Sequence, residues 1–372
     1  MEYTLGAKII SGIISRKIIA GPLSVQMSIV DACNYRCIMC WEHSSELEGW
    51  GADELARNYH ANKENKSTVM DFDIYKKLII SLHKIGSRRI CFAGIGEPLL
   101  HKRIVDAVAF AKSLKMNVRL TTNGSLMTEE LLEELIDANL DVLSVSINAG
   151  ASDEYGLVHA NQENEVFDKI VEKLVWLKEF KLSRSLRKPE LSLSNVISKL
   201  NYQRVLDMMQ VGIDTGANFV SYRPLHIFSN IARFEMVESD QRNLDEFFSL
   251  VKPMAVKNKI GNDIDTFSKL LAIRENKIIP APCFAGWLFP FILANGDVTY
   301  CCVSREVLGN LGNESFESIW FSKRHQELND MALKMHRTQE SLPKSRCLGC
   351  ERTIQNVRIH KYLWPLWGRP QT

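Results

Sequence analysis

Six short runs of apolar or alternating character, at 22–30, 88–93, 118–122, 142–147, 191–197 and 219–222, punctuate the chain as far as residue 222. The first, PLSVQMSIV, alternates apolar and polar positions in the way a half-buried strand does. Between the runs, 73–84, 104–114, 128–138, 166–180 and 202–212 carry helical patterns, and Thr128 stands where a helix N-cap is expected. Strands alternating with helices predict parallel βαβ units and an α/β fold. Further on, the apolar runs 287–293 and 297–300 flank Asn295-Gly296. That dipeptide predicts a hairpin, because a type I′ turn needs positive φ at both central residues. The polar stretch 42–67 is the one long irregular insert, expected to be either a cover over a site or a solvated loop.

At the N-terminus Ile9, Ile10, Ile13, Ile14, Ile18 and Ile19, with Lys8, Arg16 and Lys17, form a basic amphipathic segment ending at Gly21-Pro22. It is expected to pack over the base of the fold, with peripheral contact to a membrane surface as the other reading. Tyr362, Leu363, Trp364, Leu366 and Trp367 near the other end admit the same two readings. No apolar stretch reaches the roughly 18 to 20 residues that a transmembrane helix needs.

Composition narrows the function classes. The 372 residues leave room for about two domains on a prior of ~150 residues each. Charge is nearly balanced, with 46 basic and 44 acidic residues, so the clustered basic excess of a nucleic-acid footprint is missing and no nucleic-acid partner is expected. Nine cysteines, an odd count without a visible secretory signal, argue against a disulfide framework and for metal-bound thiolates in a reducing cytoplasm.

Three of those cysteines, Cys33, Cys37 and Cys40, stand in the spacing CxxxCxxC. Iron–sulfur clusters are normally held by four protein thiolates. A compact triplet therefore implies an iron left open for a ligand that is not protein. A zinc site or buried free thiols are the plainer readings of the same residues.

With this triplet following a strand, the chain resembles the radical S-adenosylmethionine (SAM) enzymes. The resemblance implies a partial (β/α)6 barrel whose first loop holds a 4Fe–4S cluster on Cys33, Cys37 and Cys40, with SAM chelating the fourth iron. It also places Gly94, Gly96, Glu97 and Pro98 in the segment that receives the SAM amino group, although Ile95 interrupts the family's glycine doublet. By the same resemblance Thr122 and Asn123 end the third strand beside SAM, and Ser146 and Asn148 end the fourth near the ribose hydroxyls. Arg223, at the end of the sixth run, is a candidate for a carboxylate of SAM or substrate, or for a structural ion pair.

The last quarter carries Cys283, the adjacent pair Cys301-Cys302, and Cys347-Leu348-Gly349-Cys350. Together with Leu308-Gly309-Asn310-Leu311 and Ile319-Trp320, this region resembles the SPASM/twitch extensions of radical SAM enzymes. The resemblance implies one auxiliary 4Fe–4S cluster on Cys283, Cys301, Cys347 and Cys350, with Cys302 the competing ligand or a hydrogen-atom donor. Four thiolates also suit a zinc knuckle. Cys91 is left over as a core thiol. The expected division is an N-terminal helical segment (1–21), the barrel (22–240), a helical linker (241–279) and the small iron–sulfur domain (280–372).

The function implied is reductive cleavage of SAM to a 5′-deoxyadenosyl radical, hydrogen abstraction from substrate, and a net oxidation in which the auxiliary cluster drains the second electron. Quenching by a hydrogen donor would instead give epimerisation. The short stretch before the first strand leaves no room for a leader-peptide-binding domain, so the expected substrate is a small polar molecule of the sugar or aminocyclitol kind. A ribosomal peptide or protein side chain is the alternative, and a non-enzymatic iron–sulfur electron-transfer protein is the reading from another class. A reductant such as flavodoxin or ferredoxin is the expected partner.

Overall fold

The computed structural model describes residues 2–40, 42–44, 68–227, 229–276 and 279–367. Its frame is one mixed sheet in the order β10-β9-β8-β1-β2-β3-β4-β5-β6-β7. Strands β1 (Val25–Met27), β2 (Arg89–Phe92), β3 (Asn117–Thr122), β4 (Val142–Ser146), β5 (Glu190–Ile197) and β6 (Phe219–Pro224) pair in parallel and in chain order. Each of the six expected strands is present.

Register explains the two faces of this sheet. Met27, Phe92, Leu120, Leu143 and Leu191 form one row across five strands, and all are buried. Successive side chains on a strand point to opposite faces. The alternate positions Gln26, Cys91, Thr121, Ser144, Ser192, Val196 and Arg223 therefore share the other, more polar face. The apolar row is covered by helices such as Phe72–Lys84 and Ile104–Ser113, whose Tyr75, Leu78, Leu82, Ala107 and Val108 are buried. Thr128 caps the helix Glu129–Asp137 as expected, its hydroxyl accepting from the Leu131 N–H.

Several elements depart from the pattern-based reading. The expected helix at 202–212 begins as a 3-10 turn, Tyr202–Arg204, and continues as Val205–Asp214. A short helix, Ser152–Val158, precedes the long helix Glu165–Ser183. Within 241–279, the two-residue strand β7 (Gly261–Asn262) joins β6 between the helices Glu238–Asn258 and Ile264–Asn276. Two residues are too few to show periodicity.

The hairpin at Asn295-Gly296 forms between β8 (Phe291–Ile292) and β9 (Asp297–Thr299), but not through the expected type I′ turn: of the pair only Gly296 has positive φ, +88°, and its N–H donates to the Leu293 carbonyl at 2.9 Å in a wider loop. Its first strand is shorter than expected because Ala285–Leu288 is a helical turn, pinned by the Trp287 indole donating to the Lys17 carbonyl at 3.1 Å. β10 (Val307–Asn310) pairs with β9, and β8 pairs in parallel with β1. The C-terminal hairpin thus extends the same sheet that carries the first cysteine loop.

The N-terminal helix Glu2–Ser15 buries Leu5, Ile9 and Ile13 against Phe284, Trp287, Leu288, Leu333 and Leu363. These positions recur every four residues, one stripe of a helix. Ile10, Ile14 and Ile19 remain exposed. Among the described residues no helix is long and apolar enough to cross a membrane. Leu363 is buried and Tyr362 exposed, while the side chains of Trp364, Leu366 and Trp367 and the insert residues 45–67 lie outside the described set.

Candidate active site

The loop after β1 is clamped from three sides. The Asp31 carboxylate accepts from the Thr68 N–H at 2.6 Å, and the Asp31 N–H donates to the Thr68 carbonyl at 3.1 Å. From β3, the Asn123 amide donates to Asn34 Oδ1 at 2.9 Å while the Asn34 amide donates to Ser125 Oγ at 2.8 Å. From beyond the helix Ser152–Val158, Asn161 accepts the Arg36 N–H at 2.7 Å and donates to the Asn34 carbonyl at 3.0 Å. Tyr35, wholly buried, has its hydroxyl 2.9 Å from that of Tyr155, and His159 packs against both rings.

The sulfurs of Cys33 and Cys40 face backbone N–H donors, and that of Cys37 lies beside a histidine ring. The Tyr35 N–H points at Cys33 Sγ (3.4 Å), the N–H groups of Glu42 and His43 point at Cys40 Sγ (3.5 and 3.3 Å), and His159 Nδ1 lies 3.0 Å from Cys37 Sγ. Burial pushes the Cys33 thiol up to about 11, opposed by the Tyr35 N–H and reinforced by the charges of Glu97 and Cys40. Burial likewise pushes Cys37 well above the ordinary thiol range, with Cys40 and Cys33 adding to it. Such thiols keep their protons unless a metal displaces them, and N–H donors then stabilise the thiolates. The donor set therefore fits an iron–sulfur cluster. Among the described residues no three His, Cys, Asp or Glu side chains close on a single-ion site. A cubane spreads its thiolates over separate irons and does not ask them to converge.

The segment after β2 is built around the same loop. A β-carbon on Gly96 would lie 2.2 Å from the Ala32 carbonyl oxygen and 2.5 Å from that of Val30. At Gly96 the close approach that glycine permits is therefore to the protein's own cysteine loop. Glu97 is buried, and its N–H donates to the Ala32 carbonyl at 2.8 Å. Its carboxylate accepts from the Thr122 hydroxyl (2.7 Å), the Leu99 N–H (3.0 Å) and the Asn123 N–H (2.8 Å). Burial raises its pKa and these three donors pull it back down. Gly94 packs against Ser28 and Phe291, and the buried Pro98 starts a 3-10 turn. Ile95, the residue that breaks the glycine doublet, forms a buried cluster with Phe291 and Leu293, against which Cys302 packs.

The remaining barrel candidates sort differently. Ser146 ends β4 half-buried, opposite Ser194. Asn148 adopts φ +52°, and its side chain accepts the Val196 N–H at 2.9 Å, so it serves as a turn residue. Arg223 pairs with Asp263 at 3.1 Å, and the same carboxylate accepts from the Ser221 hydroxyl and the Tyr222 N–H, both at 2.7 Å. Cys91 lies 3.9 Å from the Thr121 hydroxyl on the inner face.

The C-terminal thiols meet in a second group. The charge of Cys347 bears on Cys283, and those of Cys302, Cys283 and Cys347 bear on Cys350, so the structure brings all of these together with Cys301. Burial is the first cause of each upward shift, taking Cys283 to about 11. Cys301 is buried, whereas Cys302 lines a cavity together with Cys350. An ion pair between Arg305 and Glu42 ties this group to the cysteine loop.

The cavity has a volume of about 530 Å³. Met39, between Cys37 and Cys40, forms part of its wall, with Gln26 and Val196 from the sheet's inner face and Cys302 and Cys350 from the C-terminal group. A second cavity of about 630 Å³ shares Pro224, His226 and Arg274 with it and is otherwise largely apolar.

A family model described as the radical SAM superfamily matches residues 27–218, more than half of the chain. The chain belongs to the radical SAM superfamily. A model described as the SPASM iron–sulfur cluster-binding domain matches 283–351. The cofactors of this radical SAM protein are accordingly 4Fe–4S clusters and SAM.

A tungsten-containing aldehyde ferredoxin oxidoreductase cofactor-modifying protein of Pyrococcus furiosus is 26% identical over 193 residues, covering 52% of this chain and 48% of that protein. The chain thus spans about half the length of that relative. A PqqA peptide cyclase of Bradyrhizobium diazoefficiens is 25% identical over 296 residues, covering 77% of this chain and 68% of the cyclase. The crystal structure of Streptococcus suis SuiB bound to SAM shares the fold, with a TM-score of 0.62 at 15% identity over 86% of this chain and 70% of SuiB.

Proposed function

We propose that the protein holds its SAM-binding cluster on Cys33, Cys37 and Cys40, and an auxiliary cluster on Cys283, Cys301, Cys347 and Cys350. It oxidises a small polar molecule in the cavity between them. Cys33, Cys37 and Cys40 would hold the cluster, which when bound would supply the one-electron reduction of SAM that makes hydrogen abstraction from a substrate possible. The protein's part is orientation, exclusion of water and electrostatics. Glu97 and Asn123 hold the β2 and β3 ends against the cysteine loop, and Oε2 of Glu97, which accepts from the Asn123 N–H, keeps acceptor capacity for the SAM ammonium.

One observation carries the reading: a single cavity has Met39 of the cysteine loop in one wall and Cys302 and Cys350 of the C-terminal group in another. A substrate there lies between the hydrogen-abstracting centre and an electron acceptor, and a two-electron oxidation needs both. The first electron comes from an outside reductant such as flavodoxin or ferredoxin.

A peptide substrate is a second reading, favoured by the PqqA peptide cyclase match over 77% of the chain and by the apolar outer cavity, where Leu225, Phe234 and Leu348 suit an extended side chain.

The test is anaerobic reconstitution followed by reduction in the presence of SAM. Wild-type protein should form 5′-deoxyadenosine. The variant with Cys33, Cys37 and Cys40 all changed to Ala should form none and keep about half of the iron, since one of two cubanes is lost. Wild-type iron content in that variant would sink the ligand assignment.

A further inference from the structure

The cavity between the two cysteine groups has a strongly one-sided charge. Among the described residues, Arg223, Arg274, Arg346 and Arg352 line it, and Glu351 is the one carboxylate. Glu351 pairs with Arg274 at 2.8 Å and Asp263 backs Arg223 at 3.1 Å. Asp263 itself is not part of the described cavity wall.

The guanidiniums of Arg274 and Arg352 are also held in place. Arg274 has a side chain 10% exposed, bonds the Pro224 carbonyl, and keeps a buried Nε–H with no acceptor among the described residues. Arg352 lies over the Phe289 ring, 4.4 Å from its centroid, and donates to Gln355 Oε1 at 3.2 Å. The Arg346 backbone N–H donates to the Val303 carbonyl at 3.1 Å, which fixes that stretch of backbone beside Cys302. His226, in the same lining, registers the resulting field. Burial together with the positive charges of Arg274 and Arg346 holds its imidazole down to about 4, so it is uncharged at neutral pH.

We propose that this cavity selects a substrate bearing an oxyanion, a carboxylate or a phosphate, gripped by Arg274 and Arg346 with Arg352 and Arg223 adding to the field. The inference rests on the cavity being the substrate site of the proposed oxidation, and it narrows that substrate. Guanidiniums recognise planar or tetrahedral oxyanions through paired N–H donors. A cationic amine, such as an aminocyclitol carries, would meet like charge here. The competing use for these arginines is to neutralise the thiolates of the auxiliary cluster.

The experiment titrates the anaerobic holoenzyme, with both clusters loaded and SAM saturating, against inorganic pyrophosphate, malonate and ethylenediamine by calorimetry. Saturable one-site binding of at least one anion, with none of the diamine, is expected, and the tighter of pyrophosphate and malonate identifies phosphate or carboxylate as the group selected. Arg274→Gln and Arg346→Gln should each weaken that anion roughly ten- to a hundred-fold, the loss of a charge-assisted hydrogen bond. Iron content and visible absorbance equal to wild type check that the variants have folded. Absence of saturable anion binding to the wild-type holoenzyme overturns the proposal without recourse to any variant. So does wild-type anion affinity in both variants accompanied by a shifted auxiliary-cluster potential, which assigns the arginines to the cluster. Formation of 5′-deoxyadenosine is read on the same sample. Its absence beside intact anion binding overturns the catalytic reading and leaves the anion site standing.

Discussion

Nδ1 of His159 lies 3.0 Å from Cys37 Sγ, while its Nε2 lies 3.2 Å from the Ile147 carbonyl oxygen. A carbonyl can only accept, so Nε2 carries the hydrogen and Nδ1 turns a lone pair towards the sulfur. That suits a thiol, whose S–H can donate. Cluster assembly removes this proton, and the contact then survives only if the ring carries a hydrogen on both nitrogens. Burial holds the free imidazole down to about 4, against the opposing pull of the Ile147 carbonyl. A thiolate alongside favours the imidazolium.

His159→Phe keeps a ring against Tyr155 and loses both polar contacts. Hydrogen bonds to cluster sulfurs raise reduction potentials, so the SAM-binding cluster of this variant should become harder to reduce by on the order of tens of millivolts. A redox titration followed by electron paramagnetic resonance measures this. A potential equal to wild type would remove His159 from the cluster's hydrogen-bonding shell.

Glu97 ties three parts of the site together, because its carboxylate accepts from Thr122, Leu99 and Asn123, and Asn123 in turn holds Asn34. Glu97→Ala leaves three donors without this acceptor. The cost should be about 3 kcal/mol of stability, at roughly 1 kcal/mol for each donor left unpaired. SAM affinity should fall roughly ten- to a hundred-fold if the ammonium also uses this carboxylate. Thr122→Val removes one donor and should cost about 1 kcal/mol. Thermal unfolding and SAM titration separate the two effects, and unchanged SAM affinity in a folded Glu97→Ala variant would confine the carboxylate to a structural role.

What the sequence discloses about this site follows from how its contacts are made. Cys33, Cys37, Cys40 and the glycine-rich turn are legible because their residues are close in the chain. Asn34, Asn161 and His159 are not. Their contacts, Asn34 with Asn123, Arg36 with Asn161 and Cys37 with His159, join residues some 90 to 125 positions apart. No local pattern marks an asparagine that will clamp a distant loop. The six parallel strands show in the alternating and apolar runs, whereas the pairing of β8 with β1 depends on which sheet edge is left open and leaves no trace in periodicity. Of the cavity's arginines, Arg223 is a candidate in the sequence, whereas Arg274, Arg346 and Arg352 are hidden, since nothing local marks them as facing one cavity and the whole chain is nearly neutral.

His325 gives the C-terminal region a pH dependence whose sign can be worked out. The ring is wholly buried, with Nδ1 2.7 Å from the Trp320 carbonyl oxygen, and burial lowers its pKa to about 4 against the opposing pull of the Trp320 and Gly286 carbonyls. In the unfolded chain the imidazole titrates near 6.5. Between these values the unfolded state binds more protons, so stability rises with pH through the window. The contribution is complete above about 6.5 and is lost as the pH falls towards 4, by on the order of 3 kcal/mol at the acid end. His325→Phe should flatten this part of the profile. Melting temperatures of both proteins from pH 7 to 4 measure it, and parallel curves would show that His325 does not carry the proton uptake.

The auxiliary site is expected to act electronically as well as structurally. Its thiols are gathered within one group, and four thiolate ligands leave no open iron for SAM. A variant with Cys347 and Cys350 changed to Ala should therefore still form 5′-deoxyadenosine from the first cluster while failing to release oxidised product. Metal ligation couples to folding, so the spectrum of the remaining cluster must match wild type before the result is read. The companion variant, Cys302→Ala, tests the other outcome. Cys302 faces the cavity while Cys301 is buried behind it, a placement suited to a hydrogen-atom donor. If the double variant turns over at the wild-type rate and Cys302→Ala stops turnover, the substrate radical is quenched by a thiol and the reaction is an epimerisation. Loss of product in the double variant, with Cys302→Ala still active, identifies the auxiliary cluster as the electron acceptor.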